Sequence, residues 1–219
     1  GVTGVQTCAL PIYKVFLRCL LVFFLHLFPC GLQAQVFHSS PNTTIFDYAT
    51  TDFTLPVSGL SQAALDTNNF GLQAVGIDLL HTWDSDLEIY LIAPDGTTVL
   101  LVSGQGGGDD NFTHTIFDMG GSQPITAGYA PFTGTFRPMG QLGLVNNGQN
   151  GNGTWTLRIV DTYPADQGTL LHWNLVFSSQ PATYFSISSS DLPVFIINTN
   201  GQVIPNDPKI NVEIGRAHV

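Results

Sequence analysis

The sequence has 219 residues, of which 16 are acidic and 6 are basic, and its formal net charge is −10. This balance argues against nucleic acid and anionic membrane surfaces as partners, because binding phosphate requires a basic face. The length is sufficient for one full hydrophobic core, and it does not require a second domain.

Both ends of the chain need an explanation before any fold is considered. Residues 7–12 and 214–219 can be encoded by one stretch of DNA read on opposite strands, which is typical of a sequencing adapter. We therefore interpret residues 1–12 and 214–219 as an assembly artefact and exclude them from the fold argument. The interpretation implies that the gene was cut at both ends.

Residues 13–34 have the pattern of a secretory signal. Lys14 and Arg18 precede a run of about ten apolar residues, and Ala34 is a small residue suited to a cleavage site. The run is shorter than a typical membrane span. A buried helix and a lipoprotein signal through Cys30 are the alternatives. We predict cleavage after Ala34, and a secreted or cell-surface bacterial protein that has no membrane contact after cleavage.

The three cysteines, Cys8, Cys19 and Cys30, all precede the predicted cleavage site. The remaining span, residues 35–213, contains all 16 acidic residues and three basic ones, so its net charge is −13. An exported domain without disulfides depends on its core and on bound ions. The charge makes cations the favoured counterpart.

The composition of residues 37–180 predicts an all-β domain. This stretch is rich in Gly, Thr, Asn and aromatic residues, and it has no sustained apolar repeat at helical spacing. Residues 97–102 form a nearly continuous β-branched and apolar run, which predicts a strand buried on both sides. Elsewhere, apolar residues alternate at period two and predict half-buried strands. The alternating sets are Val75, Ile77 and Leu79; Leu87, Ile89 and Leu91; Trp155, Leu157 and Ile159; and Leu171, Trp173, Leu175 and Phe177.

Turn signals separate these strands. Residues 93–96 read Ala-Pro-Asp-Gly, which predicts a hairpin turn because Pro fixes φ and Gly accepts a positive φ. Residues 104–111 and 146–153 are longer Gly- and Asn-rich loops. Many short strands joined in this way favour a sandwich or a jelly roll. We place this domain at residues 35–180, with a linker and the start of a truncated second domain at residues 181–213.

An ordered series of motifs resembles the P domain, or Homo B domain, of the proprotein convertases, which are kexin- and furin-like subtilases. The resemblance covers roughly residues 72–177, and the order and spacing of the motifs carry it. The motifs are WDSDL at 83–87, APDGT at 93–97, FTGTFRP at 132–138, NGTWTLRIVD at 152–161, GTL at 168–170 and WNL at 173–175.

The resemblance implies a galactose-binding-like jelly roll, which is a β-sandwich of antiparallel sheets. In the convertases this domain packs on the subtilisin-like domain and stabilises it, so it contributes to serine-type endopeptidase activity and proteolysis without catalytic residues. Here only about 40 residues precede the similar region, which is too few for a subtilisin-like domain. The expected partner is therefore an adjacent domain of the same polypeptide. The tail at 190–210 is similar to the opening of proteins of the spore-coat CotH kinase type.

Acidic residues in loops suggest a structural calcium site. Asp84 and Asp86 flank Ser85 at the start of a strand, and in an extended or looped segment two such carboxylates can point into one site. Ca²⁺ takes six to eight hard oxygen ligands in irregular geometry, and the resemblance also implies calcium. The alternative is that these carboxylates are solvated or cap turns. The further candidate ligands are Asp109, Asp110, Asp118 and Asp161.

No catalytic residues are expected in this chain. The histidines at 38, 81, 114 and 172 lack the short paired spacing of a zinc site and are interpreted as strand or loop residues. No Gly-x-Ser-x-Gly elbow marks a nucleophile. Trp83, Trp155 and Trp173 suggest a sugar-stacking platform, although Trp155 and Trp173 are in phase with core positions. Two hypotheses follow: a calcium-binding accessory module, or a carbohydrate- or cell-surface-binding module of a kinase-like protein.

Overall fold

The computed structural model describes residues 33–185, together with the backbone of residues 195–198 and 213–216. Residues 1–12, nearly all of the predicted signal and most of the chain after residue 185 lie outside the described residues. The resemblance of the tail to the CotH kinase type therefore stays a prediction. Within the described part of the chain, no helix is long and apolar enough to cross a membrane.

The described chain consists of short strands and single turns of 3-10 helix. The turns are Asp84–Asp86, Ile125–Ala127 and Leu142–Val145. The prediction of an all-β fold is confirmed. The strands are β1 (Gln35–Ser39), β2 (Thr43–Ile45), β3 (Thr50–Val57), β4 (Gly71–His81), β5 (Leu87–Ile92), β6 (Thr98–Ser103), β7 (Phe112–Asp118), β8 (Gln123–Pro124), β9 (Gly134–Arg137), β10 (Gly153–Asp161), β11 (Gly168–Ser178), β12 (Phe195–Asn198) and β13 (Glu213–Arg216).

The first eleven strands form two sheets. The seven-stranded sheet has the order β1-β11-β4-β7-β9-β8, with β2 also paired to β11, and the four-stranded sheet has the order β3-β10-β5-β6. Strands β12 and β13 pair with each other. Most pairs are antiparallel, but β9 is parallel to β7 and to β8. The seven-stranded sheet is therefore mixed where an antiparallel sheet was predicted, and the jelly-roll connectivity stays a prediction.

The two sheets pack face to face around one core. The ring of Trp155 in β10 meets that of Phe177 in β11 edge to face, with centroids 5.6 Å apart. The alternating positions predicted to be inward are buried, with one exception in β11. There Leu170 is fully buried and Leu171 is only half-buried, because a bulge between Leu170 and His172 shifts the phase of the strand.

The hairpin turn at residues 93–96 is confirmed. The Gly96 N–H donates to the Ala93 carbonyl oxygen at 2.9 Å, and Gly96 has a φ of +90°. The strand that follows, β6, lies at an edge of its sheet rather than in the centre. Backbone N–H groups of Met139 and Gly140 donate to its carbonyl oxygens, so the edge is covered by a loop.

The sandwich extends beyond the region that carries the motifs. Strands β1 and β2 pair with β11 and β3 pairs with β10, so residues 35–57 add two strands to the seven-stranded sheet and one to the four-stranded sheet. After β11, Ala182 is buried and its N–H donates to the Leu72 carbonyl oxygen at 2.8 Å. The side-chain amide of Asn146 donates to the carbonyl oxygens of both Leu72 and Ala182. Packing thus continues past residue 180, where the sequence suggested a boundary.

Candidate functional site

Four loops meet at one end of the sandwich, which we call the acidic end. The Asp84 N–H donates to the Asp109 carbonyl oxygen at 3.2 Å, and the Thr162 N–H donates to the Asp86 carbonyl oxygen at 2.9 Å. These bonds link connections that are distant in sequence, because the strands they join all end here. The loops are residues 46–49, 82–86, 104–111 and 162–167.

Asp84 is a buried carboxylate with one unused oxygen. Its side chain accepts a hydrogen bond from the Asn111 N–H at 2.9 Å through Oδ1, whereas Oδ2 is buried without a hydrogen-bond partner. Burial raises the pKa of Asp84 to about 7, the Asn111 hydrogen bond opposes this shift, and the charges of Asp110 and Asp109 add to it. Asp84 is therefore poised to take a proton or a cation.

Asp86 is also buried, but its surroundings differ from those of Asp84. Burial raises the pKa of Asp86, the charges of Asp161 and Asp166 act in the same direction, and His81 opposes them. Asp84 and Asp86 lie in a 3-10 turn, which rotates about 120° per residue, so the predicted segment is looped and not extended. The turn gives the two carboxylates different charged neighbours.

Asp161 forms a buried pair with His81. The two side chains are fully buried, with Nε2 of His81 3.3 Å from Oδ2 of Asp161. The other ring nitrogen of His81 lies 3.0 Å from the Trp83 carbonyl oxygen, and Oδ1 of Asp161 accepts a hydrogen bond from the Tyr163 N–H at 3.1 Å. The pair fastens the turn after β4 to the end of β10.

Asp109 and Asp110 lie in the glycine-rich loop of the acidic end, but Asp118 does not lie near them. Asp118 pairs with Ala74, seven residues before His81 in β4, which corresponds to about 23 Å. Its carboxylate accepts a hydrogen bond from the Gly120 N–H at 2.7 Å and caps a turn. Among residues 33–185, no group of three His, Cys, Asp or Glu side chains is placed to enclose a metal ion.

Two acidic residues of this end were missed in the sequence. Asp47 accepts hydrogen bonds from the Ala165 N–H, and Asp166 accepts one from the Thr82 hydroxyl at 2.6 Å. Both lie in loops, where no alternating pattern indicates which residues come together. The one signal in the sequence that could have identified them was their position next to the ends of strands. They bring the connections after β2, β4 and β10 together.

The three tryptophans do not form one platform. Trp155 and Trp173 are fully buried, so their interpretation as core residues is confirmed, whereas Trp83 is 46% exposed. The indole of Trp83 lies against Gly108, where a Cβ would come within 3.0 Å of the ring. A shallow polar cleft lies beside this loop. Its lining includes Thr44, Thr82, Asp110, Asn111, Gln167 and Thr169.

Residues 73–177, which extend from β4 to the end of β11, match the model of the proprotein convertase P-domain family. The chain contains a P domain. The resemblance drawn from the ordered motifs is thereby confirmed. The matched region begins at the third residue of β4. Strands β1 to β3 precede this region but belong to the same two sheets.

Similarity to curated proteins extends over the same part of the chain. Leupeptin-inactivating enzyme 1 of Streptomyces exfoliatus is 28% identical over 123 residues, which are 56% of this chain and 21% of that enzyme. The chain therefore spans about a fifth of the length of this relative.

Solved structures with partial similarity come from Aeromonas sobria. A crystal structure of its serine protease has a TM-score of 0.39 and 20% identity, covering 67% of this chain and 26% of the protease. A crystal structure of this protease in complex with a chaperone has a TM-score of 0.41 and 20% identity, covering 74% of this chain and 29% of that one.

The raised pKa of Asp84 predicts a pH-dependent stability in the presence of a chelator. The pKa is about 7 in the folded P domain against an ordinary value of 3.8, so the folded chain binds the extra proton between these values. The free energy of unfolding should therefore fall as the pH rises from about 4 to 7, by on the order of 2–4 kcal/mol.

Urea unfolding of the wild type and of Asp84→Asn across this pH range measures the contribution of this one group. The difference between the two curves should follow the fall described above, because all other titrating groups are shared. Asp118→Asn, at the opposite end of β4, is the control and should keep the wild-type slope. A difference curve for Asp84→Asn that is flat with pH would contradict the assignment.

Proposed function

We propose that this P domain is a non-catalytic accessory module of a secreted or cell-surface bacterial protein, and that it stabilises or positions an adjacent domain. The observation that carries the proposal is the match of residues 73–177 to the P-domain family. The association with serine-type endopeptidase activity and proteolysis comes from that family. The signal-like sequence of residues 13–34 supports export.

The route of the chain supports contact with an adjacent domain at the end opposite the acidic end. Strand β1 begins beside the end of β11, where Gln35 pairs with Phe177, so the chain enters and leaves the sandwich at one place. This place lies about 33 Å from the acidic end, because β11 has eleven residues. Large apolar side chains are exposed here, and Phe185 is 76% exposed. We call Leu144, Tyr184 and Phe185 the exit patch.

Exposed apolar patches commonly mark interaction sites, and an adjacent domain joined near residue 185 is the partner that the exit patch reaches first. The patch is also held in place. The Phe185 N–H donates to the side-chain oxygen of Gln141, and Gly143 lies so close to Thr183 that a Cβ would be 2.3 Å from its carbonyl carbon. A patch fixed on the sandwich positions its partner as well as binding it.

Calcium binding at the acidic end is the second part of this proposal. The unused, buried Oδ2 of Asp84 fits a hard cation, and Asp109 and Asp110 add negative charge near it. Asp84 would bind the ion directly, and backbone carbonyls and water would complete its shell. A bound Ca²⁺ supplies positive charge that offsets the burial of the carboxylate. It would thereby fasten the turn after β4 to the glycine-rich loop.

A carbohydrate-binding role is a second candidate function, and Trp83 with its neighbouring cleft favours it. An exposed indole stacks on the apolar face of a sugar ring, while carboxylate and amide groups bind its hydroxyls. Asp110, Asn111 and Gln167 supply such groups, and the cleft lining contains no Lys or Arg. This lining favours a neutral sugar over an anionic one.

The accessory role predicts that the full-length protein depends on the exit patch. Leu144→Arg should lower the melting temperature of the adjacent domain by several degrees, because it places a charge in an apolar contact. Differential scanning calorimetry of the full-length protein measures this. Tyr129→Arg, at an exposed residue outside the patch, is the matched control. The accessory role would be excluded if the melting temperature of the adjacent domain stayed the same after Leu144→Arg and also after deletion of residues 35–185.

The calcium proposal predicts that the chain melts several degrees higher with Ca²⁺ than with a chelator. A Ca²⁺ concentration of about one hundred times Kd stabilises the folded chain by about 2.7 kcal/mol. Asp84→Asn should abolish this difference, whereas Asp118→Asn should keep it. Melting curves that are identical with Ca²⁺ and with chelator would remove the proposal.

The carbohydrate candidate predicts binding of neutral oligosaccharides on a glycan array, with anionic glycans bound less. Trp83→Ala should reduce binding at least about tenfold, because stacking on the indole is lost. Tyr129→Ala is the control for an exposed aromatic residue away from the cleft. Equal binding by the wild type and by Trp83→Ala would exclude this site.

A further inference from the structure

The outer face of the seven-stranded sheet brings together histidines that are far apart in the sequence. His38 lies in β1, His172 in β11 and His114 in β7, and Asp78 lies in β4 between the last two. These four strands are consecutive in the sheet. The register of β1 on β11 pairs His38 with Asn174, and His172 lies two residues before Asn174 in β11, diagonally beside His38.

The separation of His38 and His172 suits two ligands of one metal ion. Their ring centroids are 5.8 Å apart, with the rings inclined by 35°. An imidazole nitrogen lies about 2.1 Å from a bound Zn²⁺, so each ring centroid lies roughly 3.2 Å from the ion. Two such rings bound to one ion, with a nitrogen–metal–nitrogen angle of roughly 110–130°, have centroids about 5.2–5.8 Å apart.

Ser40 can hold His172 in the state that a metal requires. Its hydroxyl oxygen lies 2.9 Å from Nδ1 of His172. When Nδ1–H donates to this hydroxyl, Nε2 of the neutral ring keeps its lone pair. Metal-binding histidines commonly donate their second N–H to a neighbouring acceptor in this way. Ser40 is therefore a positioning residue.

The nearest carboxylate is directed toward a different histidine. Asp78 pairs with His172 across the strands, but its oxygens accept from the His114 N–H at 2.6 Å and lie 2.9 Å from Nδ1 of His114. The His38 and His172 pair is thus left with two imidazole nitrogens and open solvent positions. Imidazole ligands favour Cu²⁺, Ni²⁺ and Zn²⁺, whereas Ca²⁺ and Mg²⁺ require oxygen.

We propose that His38 and His172 bind a divalent transition-metal ion on the outer face of the seven-stranded sheet. The affinity order for such a site is Cu²⁺ above Ni²⁺ and Zn²⁺. The ion joins the edge strand β1 to β11, so its binding also resists separation of β1 from the sheet. The site is chemically distinct from the acidic end, where oxygen ligands predominate.

The test uses the 219-residue chain with its three cysteines alkylated, titrated with Cu²⁺ alone and then with Zn²⁺, Ni²⁺ and Ca²⁺ alone. Calorimetry gives the affinity, and electron paramagnetic resonance of the Cu²⁺ form reports coordinated imidazole nitrogens. We expect His38→Ala and His172→Gln each to weaken Cu²⁺ binding at least about tenfold and to remove one nitrogen from the spectrum. Titration with Ca²⁺ should give the same heat for the wild type and for both variants.

His114→Gln is the matched control, because His114 is an exposed histidine on the same sheet face outside the pair. It should leave Cu²⁺ affinity and the nitrogen count unchanged. Circular dichroism of each variant verifies that the fold is kept, and His38 is exposed, so its replacement leaves the core intact. Unchanged Cu²⁺ affinity in folded His38→Ala and His172→Gln, or an equal loss in His114→Gln, would overturn the proposal.

Discussion

The antiparallel pairing of β4 with β11 is the constraint on which the other features depend. These are the longest described strands, and their register places His81 opposite Gly168 at the acidic end and Gly71 opposite Ser178 at the exit end. The close approach at the acidic end requires a glycine, because a Cβ on Gly168 would lie 2.5 Å from the Leu80 carbonyl oxygen. From this pairing follow the placement of the acidic loops, the outer-face histidines and the point where the chain leaves the sandwich.

The two ends of the sandwich differ in how their buried polar groups are satisfied. At the exit end, Asn146 accepts from the Leu72 N–H and donates to two carbonyl oxygens, so its polar groups are paired. At the acidic end, Asp161 has His81 as a partner, whereas Oδ2 of Asp84 has none in the described chain. Burying a carboxylate that has no oppositely charged partner opposes folding by several kcal/mol. A fold tolerates such a group where binding compensates for it, which supports Asp84 as the site of the proposed ion.

This division is consistent with the proposed accessory module, which would contact its neighbour at one end and bind ligands at the other. The exit patch is apolar and rigidly supported, as a surface against another domain needs to be. The acidic end is charged and built from loops, and loops supported by a rigid sheet are where binding sites concentrate. The P-domain match covers β4 to β11, and β1 to β3 complete both sheets from outside it.

The sequence by itself determined strands β4, β5, β6, β10 and β11, the hairpin turn at residues 93–96, the family and the part of the core that these strands supply, because alternation and turn chemistry are local signals. It did not predict β1 to β3 or β7 to β9. It also identified Asp84, because a motif contains it. Only the tertiary structure decided that Asp84 and Asp86 have different neighbours, that Leu170 rather than Leu171 is buried, and that His38 lies beside His172. The physical reason is that bulges and register arise from pairing between strands far apart in the chain, and no local pattern encodes where two such strands align.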